Sequence, residues 1–172
     1  MKSSITGDAE QVPVLAGLPA YLLLQQLLPI LKPYRFGVGG SLLLTELGLL
    51  QHARDLDLVC AAEDFVSIIK ALQSSGNPIL RQLTVPPHPL YQSEFFARFV
   101  DPAGTEIDVM ANIRVHQTEG MLCWRFDETQ LQVRRFIPWM SAAQWLELYQ
   151  LFQRPQRVDL LRQFLLGRDS DH

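Results

Sequence analysis

The stretch 36-FGVGGSLLLTELGLLQHARDLDLVC-60 joins a glycine pair, a leucine-rich run and two aspartates that lie within an apolar string. An ionised carboxylate in apolar surroundings is unfavourable unless a cation or hydrogen-bond donors meet it. Asp55 and Asp57 are two positions apart, so on a strand both point to the same side of the sheet. The pair therefore calls for a metal ion, an arginine partner or an exposed strand end, and this stretch alone leaves all three open.

The local structure of this stretch is predicted as strand, turn, helix and strand. The segment 34-YRFGVGG-40 is typical of a short strand that ends in glycines, and 41-SLLLTELGLL-50 of a helix of about three turns whose start is marked by Ser41. The segment 55-DLDLVC-60 alternates acidic and apolar residues and then becomes wholly apolar, as a strand does when it enters a core. The glycine pair thus lies at a strand-to-helix turn, and the acids lie at the start of the next strand.

Outside this stretch, apolar periodicity and turn residues predict a mixed α/β fold. A first helix begins at Pro19 and ends at Pro29, and a capping box, Ser141 with Gln144, opens a helix near the C-terminus. The further predicted elements are a helix at 63–75 that stops at Gly76, a segment at 79–85, a hairpin with arms 94–100 and 105–111 around 101-DPAG-104, strands at 121–126 and 131–136, and helices at 142–152 and 156–166, the last ending at Gly167. We expect a mobile arm at residues 1–12, a core at 13–138 with a mixed β-sheet and flanking helices, and a C-terminal helical pair at 139–172 packed on the core.

Composition excludes several classes of protein. The 172 residues are 48% apolar and carry 15 basic and 18 acidic side chains, a net charge of −3, so the chain can bury a core but does not attract large polyanions. The apolar segment 18-LPAYLLLQQLLPIL-31 is too short and too interrupted to span a bilayer. Acids precede any apolar run at the N-terminus, and Cys60 and Cys123 lack metal-ligand spacing, so we expect two buried free thiols in a reducing cytoplasm and no membrane partner.

A second pair of acids, on the predicted hairpin, repeats the pattern of the first. Glu106 and Asp108 share one face of their strand. If this strand neighbours that of Asp55 and Asp57, mutual repulsion raises the pKa of at least one acid unless a cation lies between them. Hard divalent cations with oxygen ligands, Mg²⁺ or Mn²⁺, suit such a set.

The glycine pair supplies a candidate phosphate site. Gly39 and Gly40 permit close approach of the backbone to a ligand, and Ser41 stands where a helix N-terminus favours an anion. A P-loop is excluded because it needs a lysine after its last glycine, whereas Gly40 is followed by Ser41 and Leu42. The dinucleotide fingerprint starting at Gly37 fails because Leu42 stands where its third glycine would be. These residues together predict a triphosphate site beside a metal site.

The order of these features resembles the nucleotidyltransferase superfamily with the DNA-polymerase-β-like palm fold. The resemblance covers residues 18–111, and it is carried by 39-GGSLLLTELGLLQHARDLDLV-59 followed by a later strand acid. This stretch is similar to that of the small lincosamide and aminoglycoside nucleotidyltransferases, and 145-WLELYQLFQRPQRVDLLRQFL-165 resembles the helical end of such proteins. The turn 51-QHAR-54 departs from the threonine-rich or basic turn of the antibiotic-modifying relatives, which weakens any transfer of substrate identity.

This resemblance implies a role for each matching residue. Gly40 and Ser41, next to Gly39, match the pair that holds the β- and γ-phosphates of the incoming nucleotide. The acids match the metal ligands: Asp55 and Asp57 for both ions, and Asp108 for the catalytic ion near the acceptor hydroxyl. Arg54 is the expected charge balance or phosphate contact. The implied activity is Mg²⁺- or Mn²⁺-dependent transfer of a nucleoside monophosphate from a triphosphate such as ATP to a hydroxyl, with a small-molecule acceptor favoured over a tRNA end or a protein side chain.

Several alternatives stay open at this point. A non-catalytic module of the same fold could bind nucleotide or a partner protein, and a metal-dependent hydrolase would need a water-positioning base that the sequence does not identify. The acceptor, the preferred base and the oligomeric state are not determined.

Other chemistry-bearing side chains have both a structural and a functional interpretation, and in each case the structural one is favoured. These are Glu106 as solvated or paired with arginine, His52 and His88 as loop residues, Trp124, Trp139 and Trp145 as packing residues, and Arg134, Arg135, Arg154 and Arg157 as a solvated face.

Overall fold

The protein is built around one mixed β-sheet. A computed structural model describes residues 15–171, so the predicted arm at residues 1–12 lies outside the described residues. The helices are α1 (Pro19–Leu31), α2 (Gly40–Glu46), α3 (Ala62–Gln73), α4 (Ala142–Leu151) and α5 (Pro155–Asp169), with one 3-10 helix at Glu128–Gln130. The strands are β1 (Phe36–Gly39), β2 (Leu56–Cys60), β3 (Arg81–Leu83), β4 (Tyr91–Val100), β5 (Glu106–Gln117), β6 (Gly120–Trp124), β7 (Gln132–Arg134) and β8 (Ile137–Trp139).

The order of strands across the sheet brings distant parts of the sequence together. The order is β3-β4-β5-β2-β1-β8-β7, and β6 pairs with β5 beside this path. The central strand β2 lies antiparallel to β1 and parallel to β5. The expected mixed α/β architecture is therefore confirmed, and the strands that carry Asp57 and Asp108 are neighbours. Asp55, predicted to start β2, lies directly before it.

Helices cover the central strands, which explains why those strands are almost wholly apolar. Every residue of β1 is buried, and in β2 only Asp57 is half-buried. The first and third helices contact each other, with α1 also against β2 and α3 against β4 and β5. The C-terminal helices add Trp145 and Leu148 of α4 and Val158 and Leu161 of α5 to the same apolar cluster as the sheet. None of the helices in the described part is long and apolar enough to cross a bilayer.

Helix ends differ from prediction where glycine or proline was taken as a stop. Helix α1 continues through Pro29 to Leu31, because Pro29 lies on the exposed face where water can bond the carbonyl that its ring leaves unpaired. Helix α5 likewise continues through Gly167, which lies in open space. The predicted three-turn helix after the glycine pair is two turns long and ends at Glu46. The Ser141–Gln144 capping box of α4 is confirmed.

The strand predictions were largely correct in place but not in extent. The predicted strand at 131–136 is instead part of a hairpin, in which β7 turns through Arg135 and Phe136, both at positive φ, into the unpredicted strand β8. The expectation of two buried thiols was wrong for one of them, because Cys60 is buried whereas Cys123 of β6 is exposed. Strand β6 lies beside the main path of the sheet and is exposed to solvent. The apolar residues next to Cys123 in sequence do not reveal this exposure.

Candidate functional site

Three segments meet at one end of the central strands of the sheet. In the β1–β2 ladder Gly39 lies opposite Asp57, and in the β2–β5 ladder Asp57 lies beside Asp108. Because β1 is antiparallel to β2 while β5 is parallel to it, the end of β1 meets the beginnings of β2 and β5. We call this place the acid corner: Asp55, Asp57 and Asp108 with the adjacent turn Gly39–Gly40.

The glycines of the acid corner are required by close contacts. Gly40 has a φ of +64°, and a Cβ there would come within 2.8 Å of Cγ of Asp57. A Cβ on Gly39 would overlap the Trp145 indole ring, at 2.8 Å from its Cη2 atom. Any larger residue at either position would force the turn away from the carboxylate or from α4. The turn is thus a cradle that holds its backbone against Asp57.

Ser41 does not cap α2. The N-cap residue is Gly39 and makes no side-chain capping bond. Ser41 lies half-buried in the first turn of α2, and its carbonyl oxygen accepts a 2.9 Å hydrogen bond from the Thr45 hydroxyl. The side chain of Ser41 therefore stands beside the glycine turn without the predicted capping role.

The carboxyl group of Asp57 has a strongly shifted pKa. Burial, followed by the charges of Asp108 and Asp55, raises the pKa of Asp57 to about 7, against the opposing charges of Arg98 and Arg154. The repulsion expected between the two acidic strands is therefore present. Positive charge placed between Asp57 and Asp108 would lower the cost of ionising Asp57.

Arg98 of β4 already supplies part of that positive charge. It lies opposite Asp108 in the β4–β5 ladder, where its Nε donates to one carboxylate oxygen at 2.6 Å and a terminal nitrogen donates to the other at 2.9 Å. The Nε atom also lies 3.6 Å from Oε2 of Glu106. The hydrogen bonds to Asp108 raise the pKa of the Arg98 guanidinium above its usual value. Arg98 was missed from the sequence, although the predicted hairpin placed it across from the strand of Asp108.

The C-terminal helices cover one side of the acid corner. The ring of Tyr149 stands edge-on to that of Trp145, with 5.7 Å between centroids. Burial is the main cause that raises the pKa of Tyr149, and the charge of Asp57 adds to it, against a polar interaction with the Trp145 side chain and the charges of Arg157 and Arg154. The backbone N–H of Arg154 donates to the Tyr149 carbonyl at 2.9 Å, which fixes the short link between α4 and α5. From this link the charge of Arg154 acts on Asp57. Arg154 is itself exposed, as the favoured solvated-face interpretation held, although its charge reaches Asp57.

The other side chains singled out in the sequence have mainly structural roles. Arg54 is exposed, and the cations whose charge acts on Asp57 are Arg98 and Arg154. Glu106 is paired with arginine, as the favoured interpretation held. Trp139 and Trp145 are buried packing residues. The solvated-face prediction was wrong for Arg134, which is half-buried, whereas Arg135 is exposed. Both arginines pair with the buried carboxylate of Glu46 on α2.

The acid corner has ligand atoms that suit a hard divalent cation, but these ligands are not arranged as a complete metal site. Its donors are carboxylate oxygens, the ligands that Mg²⁺ and Mn²⁺ prefer, and the glycine cradle leaves the face of Asp57 free of any Cβ. Among residues 15–171, no group of three or more His, Cys, Asp or Glu side chains stands ready to hold a metal ion. Both oxygens of Asp108 are instead bonded to Arg98.

No protein-family model and no curated protein matches this sequence. Among solved structures, TM1012 of Thermotoga maritima, provisionally assigned as a nucleotidyltransferase, is 20% identical and aligns with a TM-score of 0.60 over 87% of this chain and 94% of its own. The chain has the fold of the nucleotidyltransferase superfamily. A second structure with this fold, ANT(2″)-Ia in complex with adenylyl-2″-tobramycin, is 10% identical, with a TM-score of 0.51 over 87% of this chain and 91% of its own.

Proposed function

We propose that this protein is a nucleotidyltransferase that moves a nucleoside monophosphate from a triphosphate to a hydroxyl of a small molecule. The observation that carries the proposal is the register of the acid corner, which sets Asp57 beside Asp108 and opposite the glycine turn. In this reaction the acceptor hydroxyl attacks the α-phosphorus and pyrophosphate leaves in line. The nucleotidyltransferase fold of two solved neighbours supports the same activity.

The residues of the corner divide the work of the proposed reaction. The turn Gly39–Gly40 and Ser41 would receive the β- and γ-phosphates, because only glycine lets the backbone approach so closely. Asp55, Asp57 and Asp108 would hold Mg²⁺ or Mn²⁺. When bound, such cations neutralise charge on the phosphates and lower the pKa of the acceptor hydroxyl.

The remaining contribution of the protein is positioning and exclusion of water. The packed pair of Trp145 and Tyr149 closes one side of the corner. Arg154 lies near enough for its charge to act on Asp57, so it would also attract the polyphosphate. Arg54, the expected phosphate contact, is not among the cations whose charge acts on Asp57, so it stays a proposal of lower rank than Arg154.

A small-molecule acceptor is favoured by the neighbour that has one in its structure. ANT(2″)-Ia is bound to adenylyl-2″-tobramycin, which supports ATP as donor and a hydroxylated small molecule as acceptor. A tRNA acceptor is disfavoured by the net charge of −3. A cytoplasmic location is part of this proposal, because the two cysteines are free thiols, as is usual in a reducing compartment. Nucleoside triphosphates are available as donors there.

A non-catalytic nucleotide-binding module is the second candidate. The observation in its favour is the bidentate pairing of Arg98 with Asp108, since it gives that carboxylate a partner other than a metal ion. Such a module would bind Mg²⁺ and nucleotide without releasing pyrophosphate.

Pyrophosphate release separates the two candidates. The protein is incubated with Mg²⁺, each of ATP, GTP, CTP and UTP, and a panel of aminoglycosides and other polyhydroxylated acceptors. We expect acceptor-dependent release with at least one pair, and a loss of roughly 100-fold or more in Asp57→Asn. Asp169→Asn is the matched control, because Asp169 belongs to a second D-x-D sequence at the exposed end of α5. Full activity in Asp57→Asn would contradict the proposal, and nucleotide binding without release would support the module.

A further inference from the structure

Arg98 is held in the acid corner by contacts on several sides. Its guanidinium makes two hydrogen bonds to Asp108, lies near the carboxylate of Glu106 and stands over the ring of Phe96 at 5.8 Å from the centroid. All four residues lie on the paired strands β4 and β5, so sheet register itself delivers the guanidinium to Asp108. The ion pair between Arg98 and Asp108 is therefore fixed by the strand pairing of the sheet.

This pairing and a divalent cation compete for the same carboxylate. Each oxygen of Asp108 already accepts an N–H, and a cation that binds there must share or displace these bonds. A guanidinium also repels a second positive charge at close range. The carboxylate of Glu106 lies 3.6 Å from Arg98. The guanidinium therefore keeps an anionic partner when Asp108 binds a metal cation instead.

We propose that Arg98 is a resident counter-ion of Asp108, which makes the nucleotide-free protein bind divalent cations weakly and so leaves metal binding dependent on the arrival of a triphosphate. The inference rests on the proposed function, because it takes Asp108 as a cation ligand. Arg98 is a positioning residue in this account: it acts through Asp108 and makes no contact with the reacting atoms.

The test measures Mn²⁺ binding without nucleotide, by electron paramagnetic resonance of the free ion. We expect Arg98→Met to bind Mn²⁺ about tenfold more tightly than the unmodified protein, since one charge-assisted pair no longer has to be broken. Arg98→Lys keeps the charge but loses the two-pronged geometry, so a smaller gain, about threefold, is expected. Asp108→Asn combined with Arg98→Met should abolish the gain.

The chain offers a matched control for the loss of charge. Arg114 pairs with Glu94 at 3.0 Å across the same two strands, but away from the acid corner, and its side chain is exposed to a similar degree. Arg114→Met should leave Mn²⁺ affinity within about twofold, because the pair is distant from the acids and exposed charges are screened. Circular dichroism spectra confirm that each variant is folded before binding is measured.

The outcomes separate this inference from the proposed function. Unchanged or weaker Mn²⁺ binding in both Arg98 variants overturns the counter-ion role, as does an equal gain in Arg114→Met. A gain in Arg98→Met that depends on Asp108 supports the role even if no triphosphate is ever turned over, in which case only the proposed reaction fails. Transfer activity with no effect of Arg98 on Mn²⁺ affinity overturns the counter-ion role alone and leaves the proposed reaction supported.

Discussion

At the scale of single residues, the acid corner is defined by how closely a backbone turn approaches a carboxylate. Gly40 has a positive φ and lies so near Asp57 that no side chain fits between them. Left-handed backbone is costly for residues with a Cβ, and here the steric overlap adds to that cost. The glycine pair quoted from the sequence is therefore a requirement of the corner itself.

Replacement of Gly40 by alanine should damage both stability and the site. We expect Gly40→Ala to lower the free energy of unfolding by about 1–3 kcal/mol and to abolish triphosphate binding, because the turn must move away from Asp57. Urea denaturation and a fluorescent-nucleotide titration measure the two effects. Gly76→Ala is the control, since nothing lies within 4 Å of a Cβ at Gly76. Normal nucleotide binding by Gly40→Ala would show that the turn is not the phosphate site.

At the scale of elements, the β7–β8 hairpin is tied to α2 by a buried acid. Glu46 ends α2 and is almost fully buried, and its carboxylate pairs with Arg134 at 3.0 Å and with Arg135. Because β8 pairs with β1 and α2 follows β1, these ion pairs join two elements that flank the same strand. They brace the helix that begins at the glycine turn.

Loss of this buried charge should weaken the fold. Glu46→Gln keeps the shape of the side chain but leaves two arginines without their counter-charge, so we expect about 1–3 kcal/mol less stability in urea denaturation. The value lies below that of a fully buried pair because both arginine side chains are about a third exposed. Glu94→Gln, which breaks the exposed pair with Arg114, should cost no more than about 1 kcal/mol. Equal losses in the two variants would mean that burial of Glu46 adds nothing.

At the scale of the whole molecule, the acid corner makes stability depend on pH. The pKa of Asp57 is raised to about 7 in the folded protein, above the usual value of 3.8 for the unfolded chain. The folded state therefore binds the additional proton between these values, and the free energy of unfolding falls as the pH rises from about 4 to about 7. Above pH 7 this loss is complete.

Neutral replacement of Asp57 should remove this dependence. We expect Asp57→Asn to be more stable than the unmodified protein at pH 8 in the absence of metal, by about 1–4 kcal/mol, and similar to it near pH 4. Thermal melts across that range, with chelator present, measure the difference between the two proteins. A constant difference at all pH values would contradict the raised pKa.

Sequence by itself determined most of the local elements of this protein and the residue types that meet at its acid corner. The spacing of Asp55 and Asp57, the glycine turn before a helix, the hairpin that carries Asp108 and the capping box of α4 are local patterns, and local patterns depend on backbone geometry alone. The assignment of the corner's residues to a nucleotidyl-transfer reaction stays a prediction that the experiments above address.

Only the tertiary structure decided which strands are neighbours and in what register. In an antiparallel hairpin a slip of one residue turns every side chain to the opposite face, so the pairing of Arg98 with Asp108 could not be obtained from the turn sequence 101-DPAG-104 alone. The meeting of Glu46 with Arg134, 88 positions later, and the approach of Arg154 to Asp57 likewise depend on how helices pack on the sheet. Such contacts follow from the burial of the whole core, which no single stretch of sequence encodes.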